Sequence, residues 1–188
     1  MFEYLVLAAA VGSFLAALAY IRSMFRGQTK PNRVTWLMWC IAPFVATAAS
    51  VSSGASWAAI PVFMSGFGPL LIFSASFFSK NAYWKNTSFD YACGALSGLA
   101  LVLWYITSNP NVAIVFAILS DALAAVPTLI KAWHNPETES AWPYIVGTFT
   151  PMTSFLVATA WTFSVLGFPG YLIAINICLL LPLIIKRK

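Results

Sequence analysis

The sequence predicts an all-α integral membrane protein of seven transmembrane helices, on three observations. Of its 188 residues 61% are hydrophobic and 8% charged, too little polar surface for a soluble domain, whereas seven spans of about 20 residues with short loops use nearly the whole chain. The apolar residues fall into seven runs. All ten Lys and Arg lie in alternate gaps between them: Arg22, Arg26, Lys30 and Arg33, then Lys80 and Lys85, then Lys131, then Lys186, Arg187 and Lys188. The other gaps, near Ser52 to Ser56, Thr107 to Pro110 and Val165 to Phe168, carry no charge. Because Lys and Arg accumulate in cytoplasmic loops, this asymmetry predicts the N-terminus outside, the C-terminus inside and an odd number of spans.

The first span is expected over Tyr4 to Ile21. Its Met1-Phe2-Glu3 start lacks the positive region of a cleavable signal, so the span should be retained. Ala8, Gly12 and Ala16 form a small-residue stripe on it. The second and third spans, Val34 to Val51 and Trp57 to Phe78, are followed by Tyr91 to Ile106, where Gly94 and Gly98 make a GxxxG. Asn111 to Ala132, Trp142 to Ser164 and Gly170 to Ile185 complete the set. Each should be helical, because backbone amides in hydrocarbon need internal partners and these runs lack the alternating polar face of a barrel. Trp57 and Trp104 mark the outer interface, and Trp36, Trp84, Trp133 and Trp142 the inner one. Cys40, Cys93 and Cys178 fall within spans at no metal or redox spacing and read as apolar fillers. The pI of about 9.3 comes from cations at span ends, where they anchor to a lipid leaflet, so nucleic acid is not an expected partner.

The first three spans match the last three in order. Trp36 pairs with Trp142 (142 − 36 = 106), Pro43 with Pro151 (151 − 43 = 108), and Gly54 with Gly167 and Pro69 with Pro182, both at 113. Residues 1–79 then form one three-helix repeat, 80–109 a linker helix and 110–188 a second repeat running the same way through the membrane. This 3+1+3 plan, with prolines in the second, fifth and sixth spans, resembles the SWEET and PQ-loop superfamily of small transporters. The resemblance covers almost the whole chain and is one of architecture. Bacterial vitamin-precursor carriers related to nicotinamide riboside transporters are similar in the same way. The resemblance implies a hinge at Pro43, Pro127 and Pro151. Ala19 stands where the family has a fourth proline, and Pro127-Thr128 stands where the PQ-loop branch has Pro-Gln.

Asp121 sits near the middle of the fifth span, where an unpaired carboxylate is unfavourable by roughly 2.5 to 3.5 kcal/mol, so it should face the bundle interior or a wet cavity. Desolvation favours its neutral form, which suits proton coupling. The competing reading is a hydrogen-bonded Asp tying helices together. Thr128, seven residues on, shares its face. Asn176, in the middle of the seventh span, can orient a polar solute, or simply make an interhelical hydrogen bond worth about 0.6 kcal/mol. The family resemblance implies that an Asn in the seventh span and a Trp in the sixth line a central site, which points to Trp161; an interfacial ring is its alternative. Thr150, Ser154 and Trp161 share a stripe beside Pro151, as Trp39, Thr47 and Ser50 do beside Pro43. Each proline frees a carbonyl in the preceding turn, although hydroxyls in such helices also bond back to their own backbone. The loop from Lys131 to Trp142, with His134, Glu137 and Glu139, reads as solvated and partly paired.

No metal cluster, catalytic carboxylate pair or nucleophile–base spacing points to an enzyme, and no cofactor or metal is implied. A retinal protein would need a lysine in the middle of the last span. The expected function is a SWEET-like membrane transporter of a small polar solute by alternating access, with Asp121 as the proton-coupling group and Asn176, Trp161, Ser154, Thr150, Trp39 and Thr47 around the solute. The alternative is a receptor or sorting protein on the same fold that does not transport. Short loops point to the cytoplasmic membrane of a bacterium or archaeon. The small-residue stripes serve either homo-oligomerisation or packing within one chain.

Overall fold

Apolar runs of this length fold into helices whose ends are set by local chemistry. In a computed structural model, residues 2–79, 84–107 and 109–186 are described, the side chains at 100, 101, 103, 104 and 107 excepted. Lys80, Arg187, Lys188 and the ring of Trp104 therefore lie outside the described residues. The helices are α1 (Glu3–Phe25), α2 (Arg33–Ser52), α3 (Ala59–Ser76), α4 (Ser88–Thr107), α5 (Pro110–His134), α6 (Trp142–Val157) and α7 (Phe163–Ile185), with a 3-10 turn over Pro136–Thr138. Five of them, α1, α2, α3, α5 and α7, are long and apolar enough to cross a membrane.

Glycine in the left-handed region ends α1 and α2. Gly27 (φ 72°) and Gly54 (φ 87°) follow the C-caps, and each turn closes with the paired bonds of a Schellman motif: Gln28 N–H to Ser23 O and Gly27 N–H to Met24 O, then Ala55 N–H to Ser50 O and Gly54 N–H to Val51 O. Asparagines start α2 and α5. The Asn32 side chain accepts from the amides of Val34 and Thr35, and that of Asn109 from Asn111 and Val112, just before Pro110 at the first helical position.

The boundary between the last two helices differs from the expected one. Val165 to Phe168 lie inside α7, and the chain turns earlier, over residues 158–162, which contain neither Gly nor Pro. Tertiary contacts account for this. Val165 and Leu166 pack against Ala55, Ala58 and Ala59, and the Ser50 hydroxyl donates to Ser164 O at 2.9 Å. These hold the 163–168 turn helical, while Pro169, near the helix start, costs it only the bond to the Val165 carbonyl. The 16 residues of α6 reach about 24 Å at 1.5 Å per residue.

Packing orders the helices in space differently from the chain. Helix α3 lies against both α1 and α2, and α7 against both α5 and α6; α1 contacts α6, α2 contacts α5, and α4 lies on α5 and α2. Small residues permit the closest approaches. A Cβ on Gly94 would press on Val34 of α2 at 2.5 Å, whereas one on Gly12 would make an ordinary contact with Val146 of α6 at 3.8 Å. The stripe on α1 and half of the GxxxG are thus used within the chain. Large apolar side chains such as Leu7, Val11, Leu15, Leu96 and Val102 cover the exterior.

The Lys- and Arg-bearing connections meet at one end of the bundle. Lys30 N–H donates to Thr138 O at 3.0 Å and Trp84 N–H to Pro31 O at 3.4 Å. Asn32 Nδ2 donates to Asp90 Oδ1 at 2.7 Å, and Asp90 Oδ2 accepts from the backbone amide and the hydroxyl of Thr87, a capping box that starts α4. Asp90 is buried, so Asn32 serves as cap for α2 and as partner for a desolvated carboxylate. Asn32→Ala should lower the stability of the detergent-purified protein by about 2 to 4 kcal/mol, the sum of a lost cap and an under-bonded buried acid. Thermal melting of Asn32→Ala beside Asn109→Ala, whose cap is exposed, checks this: Asn32→Ala should melt clearly lower.

Candidate functional site

A cavity of about 90 Å³ opens inside the bundle, lined by residues of every helix except α4. Three residues singled out in the sequence meet there: Trp39 from α2, Asp121 from α5 and Asn176 from α7. Asp121 is 3% exposed. Its Oδ2 accepts the Tyr171 hydroxyl at 2.8 Å, and its backbone carbonyl accepts the Trp39 indole N–H at 3.3 Å. Asn176 Nδ2 donates back to Leu172 O at 2.8 Å, which turns Oδ1 toward Gly147 of α6. A Cβ on Gly147 would stand 2.6 Å from that oxygen, so the glycine makes room for the amide.

The other expected site residues lie elsewhere. Trp161 is not on the sixth helix at all: it sits in the 158–162 connection, 73% exposed, its ring 6.0 Å from that of Phe155. Ser154 is buried and donates to Ala58 O at 2.9 Å, tying α6 to the start of α3. Thr150 stands one contact away from the cavity, bonded at 2.9 Å to Ser13, which lines it. Thr47 donates to Pro43 O at 2.7 Å and borders an outer groove with Phe44 and Phe63. Ser50 is likewise consumed, on α7. Thr128 does not extend the cavity; it donates to Thr35 Oγ1 at 3.1 Å, which donates to Ala124 O at 2.8 Å. Pro43, Pro127 and Pro151 all lie buried inside their helices.

Sequence reasoning missed the aromatic wall. Trp36 was expected at the membrane interface but is 2% exposed. Its ring lies 4.9 Å from Tyr20 and 5.3 Å from Trp39, and Trp39 lies 6.2 Å from Tyr144. Trp36, Trp39 and Tyr144 face the cavity on the side of the charged connections.

Behind this wall lies an ion pair, which corrects the expectation of a solvated loop. Lys131 and Glu139 are 2% and 0% exposed, with Nζ 2.6 Å from Oε1. Glu139 Oε2 accepts from the hydroxyls of Tyr20 and Tyr144, each at 3.2 Å. Lys131 also donates to the Lys30 carbonyl and lies over the Trp84 ring, 5.0 Å from its centroid. Charge at a buried site demands full pairing, and here α1, α5, α6 and the connections at this end supply it. Of the titratable groups in that loop, only His134 and Glu137 are exposed. The sequence signal was the scarcity of charge: a Lys and a Glu eight residues apart in a chain only 8% charged.

On the far side of the pair from the cavity, a polar groove of about 690 Å³ runs between the end of α1 and the start of α6, with Arg22, Arg26, Thr29 and Ser140 on its walls. The cavity and this groove share the α1–α6 seam. The layer of Tyr20, Trp36, Tyr144 and Glu139 separates them.

Glu139→Ala leaves the Lys131 ammonium buried and unpaired and should destabilise the protein by about 3 to 5 kcal/mol. The double variant Lys131→Met with Glu139→Leu removes both charges and should recover most of that loss. Melting temperatures of the two variants and of each single variant form the cycle that measures the coupling, and additive effects would contradict it.

No family model, no curated protein and no solved structure matches the chain, so a reading of its function rests on the geometry above.

Proposed function

We propose that the chain is a SWEET-like carrier that moves a small polar solute across a membrane by alternating access, using the central cavity as its binding site. The observation that carries this reading is the position of the cavity, where six helices converge, with a polar groove bordered by the same helices α1 and α6 nearby. Helix neighbours support the two-repeat plan. If α1, α2 and α3 are overlaid on α5, α6 and α7, the contacts of α3 with α1 and α2 map onto those of α7 with α5 and α6. The α1–α6 contact maps onto α5–α2. That is the pattern of parallel repeats about an axis along the membrane normal, with α4 as the linker on the outside.

In this carrier all seven helices span the membrane, the N-terminus is outside and the charged connections face the cytoplasm. The aromatic wall and the Lys131–Glu139 pair close the cytoplasmic end of the cavity, and the polar groove is the vestibule beyond. Opening requires the α1–α6 seam to part. Pro43, Pro127 and Pro151 remove helical bonds at mid-span and supply the flexure. Asp121, buried and held by Tyr171 on one oxygen only, is the proton-coupling group.

Uptake into liposomes under an imposed pH gradient tests the reading, with a library of sugars, amino acids, nucleosides and vitamin precursors as solutes. Asn176→Ala should raise the solute concentration needed for half-maximal uptake about fivefold or more, the worth of one or two hydrogen bonds. Asp121→Asn should abolish the pH-driven component. Uptake indifferent to both substitutions would remove the cavity from the transport path.

A further inference from the structure

The cavity offers hydrogen-bond acceptors and almost no donors, which restricts what it can hold. Among the described residues, most of its lining donors are engaged: Ser65 Oγ on Val62 O, Ser13 Oγ paired with Thr150 Oγ1, Tyr144 OH on Glu139, Trp39 Nε1 on Asp121 O and one of the two Asn176 Nδ2 hydrogens on Leu172 O. The remaining indole, Trp36 Nε1, has no partner but also no exposed surface. The acceptors are unspent. Asp121 Oδ1 and Asn176 Oδ1 receive no hydrogen bond from the described residues, whereas Asp121 Oδ2 and Asn176 Nδ2 are engaged.

Prolines add to the acceptor side. A proline at position i leaves the carbonyl at i−4 without its helical partner, and Pro43, Pro69 and Pro151 lie inside α2, α3 and α6. The carbonyls so freed belong to Trp39, Ser65 and Gly147, and all three residues line the cavity. Three of the helices around one small space thus each lack one backbone hydrogen bond at a lining residue.

Charge and aromatic character narrow the choice further. Asp121 is the one acidic residue on the lining, and no Lys, Arg or His accompanies it there. An anionic solute would bring acceptors to acceptors and negative charge to a carboxylate. A polyol could donate, but its own oxygens would find, of the side-chain donors on the described lining, only the second N–H of Asn176. A protonated amine is a donor without lone pairs and offsets the carboxylate charge. Trp36, Trp39 and Tyr144 line the same space, and aromatic rings attract a cation.

We propose that the cavity takes a small protonated amine whose N–H groups donate to Asp121, to Asn176 Oδ1 and to the proline-freed carbonyls. The inference rests on the carrier reading for the role of the cavity, but it makes a separate claim about the ligand. One carboxylate then holds a proton or the ammonium in turn, which links solute release to proton entry.

Four probes of similar size separate the possibilities by thermal shift and titration calorimetry on the purified protein: butylamine, tetramethylammonium, erythritol and butyrate. Ligand that binds only the folded state raises the melting point. Butylamine should stabilise saturably. Tetramethylammonium, a cation without N–H, should bind at least about tenfold more weakly, and Asp121→Asn should weaken butylamine by a similar factor, since bonds to charged groups are the strong ones. Asn176→Ala is the second variant should Asp121→Asn fold poorly, and it should weaken butylamine in the same direction. Erythritol binding that is lost in Asn176→Ala, with no effect of butylamine, would overturn the amine assignment and leave the solute cavity standing. Equal binding of both cations would show that charge alone is read and would overturn the role of the freed carbonyls. Silence from all four probes overturns the assignment as well, and liposome uptake of larger solutes then decides the carrier reading on its own.

Discussion

Polar groups inside a bundle this apolar have few partners to choose from, and their search for them decides how the helices meet. Hydroxyls of α2 reach α5 and α7, through Thr35 to Ala124 O and Ser50 to Ser164 O. Ser97 links α4 to Ser120 O on α5 at 2.8 Å, Ser154 links α6 to Ala58 at the start of α3, and Thr150 links α6 to α1. Each bond alone is worth little, because a hydroxyl can also bond back within its own helix. Together they choose among the many ways in which smooth apolar helices could pack. Small residues at the contacts then allow the backbones close enough for these short side chains to reach across.

The same rule makes the cavity stand out. Around it, acceptors are left over in a structure that pairs most of its buried polar groups, and the surplus has two sources. Side-chain donors on the lining turn back to backbone carbonyls or neighbouring side chains, and prolines subtract backbone donors from three surrounding helices. A surplus of one polarity in a low-dielectric space is unfavourable while it is empty. It is tolerated where a ligand or water completes the bonding, and this is why a largely apolar void with unspent acceptors is a stronger pointer to function than its modest size suggests.

How much of this was legible in the sequence depends on what each residue's neighbours contributed. Seven helices and their approximate boundaries followed from apolar run lengths; the local chemistry at Gly27, Gly54, Asn32 and Asn109 that sets the ends of α1, α2 and α5 was present in the sequence but was not read. The α6–α7 turn was missed because the obvious breakers, Gly167, Pro169 and Gly170, lie inside a helix that packing against Ala55 and Ala58 holds in place. Misplacing that turn carried Trp161 onto a helix it does not belong to. Asp121, Asn176 and Trp39 were found because a polar or amphipathic group at mid-span is rare enough to signify. Trp36 and Tyr144 were missed because aromatics near span ends are common at interfaces. Lys131 and Glu139 were read as a loop pair because spacing does not reveal that a connection folds inward under two tyrosine hydroxyls.

The two ends of the cavity are flanked by different kinds of side chain, and for the proposed carrier the difference bears on which end yields. Toward the uncharged connections Leu172 joins a cluster of Ala46, Ala49, Val62, Ala113, Ile114 and Phe168, small and aliphatic side chains held by dispersion and exclusion of solvent. Parting them exposes apolar surface at a cost that rises with area. Toward the charged connections an ion pair and two hydroxyls bear the closure. A buried ion pair adds little stability over an apolar substitute, because its desolvation offsets its attraction. The contrast lies in the opened state: water entering from the adjoining groove solvates both charges once they separate, a compensation that an apolar seal cannot match. For the proposed carrier, this makes the Lys131–Glu139 layer the natural gate of the charged end and the alanine-rich cluster the stiffer seal of the other. The Tyr20 and Tyr144 hydroxyls, shared by one carboxylate oxygen, then tie that gate to the aromatic wall on which the solute would rest.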